Sequence, residues 1–468
     1  MTGVANISRV YFIGIGGIGM SAIARYFLAR GAMVSGYDRT PSQNIEQLIR
    51  EGASVHFEDK VDMIDKEAQL VVYTPAIPGN HSELTWYRTN RYDVKKRSEV
   101  LADITEGGFN ICIAGTHGKT TMTTMTAHIL RHSGYGCNAF LGGISLNYQT
   151  NYWRSDNDVN VVEADEYDRS FLKLNPTIAV ISAMDADHLE VYGNVENMRA
   201  AFGSFSERID STGVLIAKYG LELNSSYTGR RIRYSLQNDQ ADVYAESIVM
   251  KDGGYNFDVV SASWRLDGVR LNMIGMINVE NIVAAISIAH ELKIEDEKIK
   301  AAVAAFRGVK RRFEYVINPA EARQSGRDVV YIDDYAHHPG ELKAMINGVR
   351  GLFNDRWMTV IFQPHLYSRT HDFYKEFAAA LSIANRVVLL PVYPARELPM
   401  PGVTSQLIAD AMDHDRVMVM NKEDLLKWLG ADYLNGLPHA VGGDVLITAG
   451  AGNIDQLVNS IREIILNH

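Results

Sequence analysis

Residues 109 to 132 constrain the fold of this chain more than any other stretch. They begin Phe109-Asn-Ile-Cys-Ile-Ala-Gly-Thr-His-Gly-Lys-Thr-Thr121 and then run into a helical pattern. Phe109, Ile111 and Ile113 alternate as in a short strand, and Gly115-Thr116-His117-Gly118 cannot continue it. After Thr120, Met122, Met125, Ile129 and Leu130 recur at helical spacing. Strand, glycine loop, Lys-Thr and helix make a phosphate-binding loop, whose backbone N–H groups and helix N-terminus point at anionic oxygens. In such a loop Lys119 meets the terminal phosphates and the Thr120 hydroxyl meets Mg²⁺. Ile113 stands where the first glycine of the pattern is usual, and Gly115 takes over as the loop glycine. The stretch implies a bound nucleoside triphosphate.

A second glycine loop opens the chain. Arg9-Val-Tyr-Phe-Ile13 reads as a strand and Gly14-Ile-Gly16-Gly-Ile-Gly19 follows it. Ala24, Phe27 and Leu28 mark a helix, and Ala32-Met-Val-Ser35 a second strand that ends near Asp38. The pattern satisfies the dinucleotide fingerprint, with Asp38 placed to reach a ribose hydroxyl. Taken alone it points to a nicotinamide oxidoreductase. The physics asks only for a pyrophosphate at a helix N-terminus, so the loop speaks for a diphosphate more firmly than for nicotinamide.

A length of 468 residues favours about three domains. A net charge of −10 argues against a nucleic-acid partner and leaves anionic ligands to local basic groups. The two cysteines, Cys112 and Cys137, make no disulfide framework and read as buried apolar fillers. No charged-then-apolar leader opens the sequence and no apolar run approaches a membrane span, so a cytoplasmic location without membrane insertion is expected.

Val71-Val-Tyr-Thr-Pro75 continues the α/β alternation, which restarts after Glu106-Gly107-Gly108. This divides the chain into 1–106, 107–312 and 313–468. In the second segment Val159-Asn-Val-Val162 delivers Glu163-Ala-Asp-Glu166, and the strand 177–183 leads to Asp185-Ala-Asp187-His188. An acid at a strand end beside a phosphate loop is where Mg²⁺ ligands of nucleotide-cleaving enzymes sit. Glu246 to Val260 reads as a hairpin about Lys251-Asp-Gly-Gly254, and Asn278 opens a helix with Ile282, Ala285, Ile286, Ala289 and Leu292 on one face. Asn278 there is either an N-cap or a contact to a base.

In the third segment polar loops follow strand after strand. They are Asp333-Asp-Tyr-Ala-His-His-Pro-Gly-Glu341, Gln363-Pro-His-Leu-Tyr-Ser-Arg-Thr370, Pro391-Val-Tyr-Pro-Ala-Arg-Glu397 and Ala449-Gly-Ala-Gly-Asn453. Four such loops in succession point to a site at one sheet edge. No Cys-His or Ser-His-Asp grouping is placed for covalent catalysis, and no spacing suggests zinc. A triphosphate site without a protein nucleophile fits phosphoryl transfer to a bound substrate, where the protein positions groups and stabilises charge. The residues thus lead to an ATP-dependent enzyme acting on a nucleotide-linked substrate. An oxidoreductase would leave Lys119 idle, and a non-catalytic nucleotide switch would leave the third segment's loops idle.

The motifs Gly14-Ile-Gly-Gly-Ile-Gly-Met20, Gly115-Thr-His-Gly-Lys-Thr-Thr121, Glu163-Ala-Asp-Glu166, Asp187-His188, Arg311-Arg-Phe313, Asp333-Asp-Tyr-Ala-His-His-Pro339, Gln363-Pro-His365 and Tyr367-Ser-Arg-Thr370 resemble, in order, those of the Mur ligase family. The resemblance implies an α/β fold of three domains. They are a Rossmann-like N-terminal UDP-binding domain, a central P-loop ATPase domain with a mostly parallel sheet, and a C-terminal Rossmann-like domain. It implies ATP and Mg²⁺ as cofactors, and UDP-N-acetylmuramate and L-alanine as the molecules joined, through an acyl phosphate. A tripeptide-recycling ligase of the same family is the alternative, and the oligomeric state is either monomer or homodimer.

Carried over by that resemblance, Gly14, Gly16, Gly17 and Gly19 take the UDP end, with Asp38 beside them. Gly115, Thr116, His117, Gly118, Lys119, Thr120 and Thr121 hold the ATP phosphates. Asn278, Arg312 and Asp334 hold the rest of the nucleotide. Thr120, Glu163 and His188 surround Mg²⁺. Lys119, His188, Tyr335, His365 and Arg369 form the catalytic set, the last three facing alanine and the reacting carboxylate. His337 and His338 are candidates to accept the ammonium proton of alanine. Ile277 stands where relatives have histidine, and Leu366 where they have arginine. No lysine lies between His188 and Lys218, in agreement with the alanine-adding branch.

Overall fold

The computed structural model describes residues 4–186, 189–251, 253–395, 397–412 and 416–467. The chain divides into two compact units, one of Met1–Met273 with Ile277–Arg307 and one of Ile274–Met276 with Gly308–His468.

The first unit holds two sheets. The smaller has five parallel strands in the order Ser54–His56, Met33–Tyr37, Arg9–Ile13, Leu70–Tyr73, Val94–Lys96. Val10 to Ile13 are all sealed from water, because elements cover both faces of this central strand. The helix Ile18–Ala29 that follows is buried from Met20 through Phe27. It is covered from a second direction by the strands Asn138–Ser145 and Thr150–Trp153 of the larger sheet, the Tyr26 ring lying 6.0 Å from Phe140 and 6.1 Å from Tyr152. Arg25, 5% exposed on this helix, pairs with Glu51 at 2.8 Å and also donates to Asn151. A guanidinium at such depth is stable only with both partners in place.

The larger sheet has ten strands. Their order is Arg265–Leu271, Gly254–Ser261, Val243–Lys251, Arg230–Ser235, Val214–Lys218, Ile178–Ile181, Phe109–Ala114, Val159–Glu163, Asn138–Ser145, Thr150–Trp153. The middle is parallel, and the hairpin at one end and Thr150–Trp153 at the other add antiparallel edges. Register sets Ile113 opposite Glu163 and Ala114 opposite Ile181. The phosphate loop, Glu163 and the segment after Ile181 therefore leave the sheet along one edge.

The second unit is a six-stranded sheet in the order Glu314–Ile317, Val329–Asp334, Asp444–Ala449, Trp357–Phe362, Arg386–Leu389, Val417–Val419, antiparallel only at its first pair. Asp334, Ala449 and Phe362 align in one row, so the polar segments that follow these strands share an edge. Pro339 opens the helix Pro339–Leu352, whose start is closed by a capping box between His338 and Glu341. Both units are mixed α/β with parallel-rich sheets.

Candidate active site

The lysine loop is built from three strand ends. Phe109–Ala114 delivers the loop and Lys119–His132 leaves it as a helix. Gly115 (φ +134°) and Gly118 (φ +81°) adopt backbone conformations closed to most side chains, and a Cβ on Gly115 would lie 2.2 Å from Ser182 Oγ. Ser182 Oγ lies 2.5 Å from His117 O and 3.2 Å from Ala114 O, Thr116 N donates to Ala183 O at 3.1 Å, and Asp185 N donates to Thr116 Oγ1 at 3.1 Å. The neighbouring strand end thereby fixes the loop before any ligand binds.

Lys119 Nζ donates to Gly115 O and to Glu166 Oε1, both at 2.7 Å. Glu166 is fully buried. Burial pushes the Lys119 ammonium down, but the carboxylates of Glu166, Glu163 and Asp165 outweigh it and hold the group above its ordinary value. Burial pushes Glu166 up, against the pull of Lys119. The lysine is thus a charged donor already aimed at the loop. Thr120 Oγ1 donates to Glu163 Oε1 at 2.9 Å, and Gly142 N donates to Glu163 Oε2 at 3.0 Å. A Cβ on Gly142 would sit 2.1 Å from that carboxylate, so only glycine leaves it room. A hydroxyl and a carboxylate form a hard oxygen donor set of the kind Mg²⁺ takes. Thr121 is buried in the same first helical turn. Asn278 is buried in the helix Met276–Glu291, which starts two residues earlier than the sequence indicated. Asn278 Oδ1 lies 3.5 Å from Asn281 Nδ2, and Asn281 Oδ1 lies 2.8 Å from where a Gly118 Cβ would be. His188, expected beside Glu163, lies outside the described residues.

In the first glycine loop, Gly14 N and Ile15 N donate to Tyr37 O at 2.8 and 3.0 Å. Gly16 N donates to Asp38 Oδ2 at 2.8 Å, and Asn44 Nδ2 donates to Gly16 O at 3.0 Å. Asp38 therefore spends one carboxylate oxygen on the loop backbone, and burial raises its carboxyl above the ordinary value despite that bond. Gly17 precedes the helix, and Gly19 lies under Arg97, whose Nη1 is 2.2 Å from a Cβ placed there. Arg97 in turn donates to Asp165 Oδ2 at 3.0 Å. The short run Glu163-Ala-Asp-Glu166 thus serves both loops: Asp165 holds the arginine of the first and Glu166 the lysine of the second.

The second unit gathers the remaining candidates. Asp334 accepts from Phe313 N and Ala336 N, each at 2.7 Å, and burial raises its carboxyl to about 6 against the charge of Arg312. Tyr335 lies under two guanidinium groups, Arg311 at 5.4 Å and Arg312 at 5.2 Å from its ring centre. His337 Nδ1 is 3.0 Å from Tyr335 O, and burial lowers the pKa of its ring below the ordinary value. The His337 ring faces His365 at 6.1 Å, and His365 stacks on Tyr393 at 5.7 Å. Arg369 Nη1 is buried with no hydrogen-bond partner among the described residues. A buried guanidinium N–H left in this way is a ready donor for a carboxylate or phosphate.

The family model for the Mur ligase middle domain matches residues 113–289, that for the Mur ligase family catalytic domain residues 9–108, and that for the Mur ligase glutamate ligase domain residues 311–452. The chain belongs to the Mur ligase family. This Mur ligase is 49% identical over 467 residues to the UDP-N-acetylmuramate–L-alanine ligase of Porphyromonas gingivalis, covering 98% of this chain and 99% of the relative. It resembles the crystal structure of the UDP-N-acetylmuramate–alanine ligase of Thermotoga maritima with a TM-score of 0.81 at 27% identity, over 97% of this chain and 98% of that one. A murein peptide ligase of Psychrobacter arcticus shares the fold more distantly, with a TM-score of 0.71 at 22% identity, over 98% of this chain and 99% of that one.

Several side chains that shape the site of this Mur ligase carried no assignment from the sequence. Arg97 sits in a Lys-Lys-Arg run with no motif to single it out, and Glu166 is one acid among three. Ser182 and Gly142 reach the site only through register across the sheet. For Glu166 a signal did exist, since an acid that follows a strand beside a phosphate loop is a candidate partner of its lysine.

Proposed function

We propose that this Mur ligase joins L-alanine to the lactyl carboxylate of UDP-N-acetylmuramate, converting ATP to ADP and phosphate. The observation that carries the reading is the charged Lys119, held over Gly115 at a helix N-terminus beside the Thr120–Glu163 pair. Relatives nearly half identical along the whole chain and named for that reaction support it.

In this reading Gly14 to Gly19, with Arg97, hold the diphosphate of the sugar nucleotide, and Gly115 to Thr121 hold the triphosphate. A substrate carboxylate oxygen attacks the outermost phosphorus while the bond to the ADP oxygen breaks. Lys119 faces the charge that builds on the phosphoryl oxygens, where a positioned donor counts most. Mg²⁺, held by Thr120, Glu163 and His188, would neutralise the outer phosphates. The alanine amine then attacks the acyl carbon, gives up a proton and expels phosphate. Arg369, with its buried unpartnered N–H, steadies the carboxylate of one reactant, and the His337 ring, kept neutral by burial, can accept the amine proton. Asn278, Arg312 and Asp334 take the adenosine end, and Tyr335 and His365 line the amino-acid side. The three-domain division at 106 and 312 and a cytoplasmic location belong to the same proposal. Among the described residues no helix is long and apolar enough to cross a membrane.

The test is phosphate release from ATP with UDP-N-acetylmuramate fixed and the amine varied. Release that requires both the sugar nucleotide and L-alanine is expected. Release with an L-alanine-headed tripeptide but not with L-alanine would instead select the recycling reaction, and release with neither would reject both.

A further inference from the structure

Asp59, His81 and Glu83 form a cluster that the proposed chemistry does not use. One ligand-type atom from each lies within 4.8 Å of the other two. His81 immediately precedes the helix Ser82–Thr89, Glu83 lies in its first turn, and Asp59 comes from the loop after Ser54–His56. Glu83 is fully buried and His81 is 7% exposed, whereas the Asp59 side chain keeps 34% of its surface in water. The cluster has a dry floor and one open wall.

Of the basic side chains, only histidines face its carboxylates among the described residues, His56 Nε2 lying 3.6 Å from Glu83 Oε1. Glu83 accepts from Tyr11 OH at 2.8 Å and from Lys60 N at 3.2 Å. Asp59 accepts from Ser82 N at 3.1 Å, from Glu83 N at 3.2 Å and from Ser82 Oγ. Among the described residues no lysine or arginine side chain pairs with either carboxylate, and the Lys60 ammonium turns to Glu58. A carboxylate sealed from water needs a counter-charge or takes up a proton, and burial raises the Glu83 carboxyl to about 7. Among the described residues neither ring nitrogen of His81 has a hydrogen-bond partner; Nδ1 is 3.3 Å from Asp59 Oδ1 but out of line for a bond. The ring is held instead by Tyr37, 4.7 Å away between centres. A buried imidazole with idle nitrogens beside two carboxylates has the makings of a metal ligand.

The surroundings agree. Tyr11 OH is also 2.7 Å from His56 Nε2, and His56 Nδ1 is 2.9 Å from Glu58 O. A carbonyl only accepts, so Nδ1 carries a hydrogen, and in the neutral ring Nε2 accepts too. The single Tyr11 hydrogen then serves either His56 or Glu83, and when it turns to His56 the Glu83 carboxylate keeps only the Lys60 N–H. This is also how outer residues orient a carboxylate ligand.

We propose that Asp59, His81 and Glu83 bind one divalent transition-metal ion of the Zn²⁺ class, with water in the fourth position on the open side. One imidazole nitrogen and two carboxylate oxygens suit that ion, and three protein ligands leave a tetrahedral position free. The bound ion ties the loop after Ser54–His56 to the start of the helix Ser82–Thr89. Through the Tyr37 ring on His81 it also braces the strand end that leads into Asp38, the residue that holds Gly16. Occupancy therefore stiffens the first glycine loop.

The test uses the full chain, stripped by chelation and titrated with Co²⁺ in millimolar Mg²⁺, which occupies the oxygen-rich Thr120–Glu163 set. One Co²⁺ per chain with a visible absorption band, displaced by Zn²⁺, is expected. His81→Ala should abolish the band. Asp59→Asn, which keeps an oxygen for the Ser82 and Glu83 N–H groups, should weaken binding by about tenfold or more. Glu163→Gln should leave the band in place. No uptake at micromolar Co²⁺ or Zn²⁺ overturns the proposal and leaves a proton as the counter-charge. So does a band unchanged in the folded Asp59→Asn protein, or one lost in Glu163→Gln.

Discussion

The two glycine loops of the first unit share a plan and differ in charge. Each follows a central parallel strand, turns on glycine and opens a helix. The first is organised by neutral donors: Gly14 and Ile15 bond to Tyr37, and Asp38 closes on Gly16. A cation, Arg97, reaches Gly19 from elsewhere in the chain. The second carries its own lysine and places it among Glu163, Asp165 and Glu166. Topology alone creates an anion site at a helix N-terminus. What is added to it decides whether the anion is held or its phosphoryl group is moved; on the proposed function the first loop is an anchor and the second the seat of reaction.

That distinction can be broken experimentally. The largest effect is expected for Lys119→Ala, which should lower kcat by about 10²–10³ with little change in KM for the sugar nucleotide. A variant that raised only KM would make the second loop an anchor too. Next comes Gly115→Ala, whose Cβ would press on Ser182 Oγ at 2.2 Å and Ala183 N at 2.8 Å with φ at +134°. It should cost about 2–3 kcal/mol in chemical denaturation. Gly16→Ala meets the flexible Ile45 side chain at 2.6 Å and Asp38 Oδ2 at 2.9 Å, and should cost about 1 kcal/mol. Equal losses would mean that the two loops are equally rigid. Arg97→Ala should raise KM for the sugar nucleotide about tenfold, or about 1.4 kcal/mol, with kcat nearly unchanged; a drop confined to kcat would move Arg97 to the reaction side.

The smallest effect is in pH. Burial raises the Asp38 carboxyl, so the folded state holds its proton more tightly than the unfolded chain does. Its contribution to stability is greatest in acid and is lost as pH rises from 3.8 through the raised value. Lys119, also raised, contributes fully below 10.5 and loses that contribution only in alkali. Asp38→Asn should flatten the acid limb of the stability profile and leave the alkaline limb alone, as followed by thermal unfolding across pH.

Much of this was legible in the chain because strand, glycine and helix signals are local. The strands Arg9–Ile13, Phe109–Ala114, Val159–Glu163 and Val329–Asp334 lie where the apolar runs put them. Asn138–Ser145 and Thr150–Trp153 were not anticipated, since Gly142-Gly143 and Asn147-Tyr-Gln149 look like turns. Gly142 is there to give Glu163 room, a reason that exists only once two distant strands are paired. The same holds for Arg97 and Asp165, whose bond spans two sheets. The fusion of those sheets into one unit rests on Tyr26, Phe140 and Tyr152, which alternate no differently from ordinary core residues.

The Lys119–Glu166 pair has a consequence for which form of nucleotide can enter. At the second loop Lys119 lies among Glu163, Asp165 and Glu166, of which Asp165 also pairs with Arg97 of the first loop. A bare triphosphate would meet a pocket already in electrical deficit and would have to compete with Glu166 for the lysine. On the proposed function, a nucleotide that travels with its own metal counter-ion brings the missing charge. The enzyme should therefore ignore free ATP at low magnesium, and an inhibitor designed as a simple polyanion should fare poorly where a neutral or chelated one succeeds.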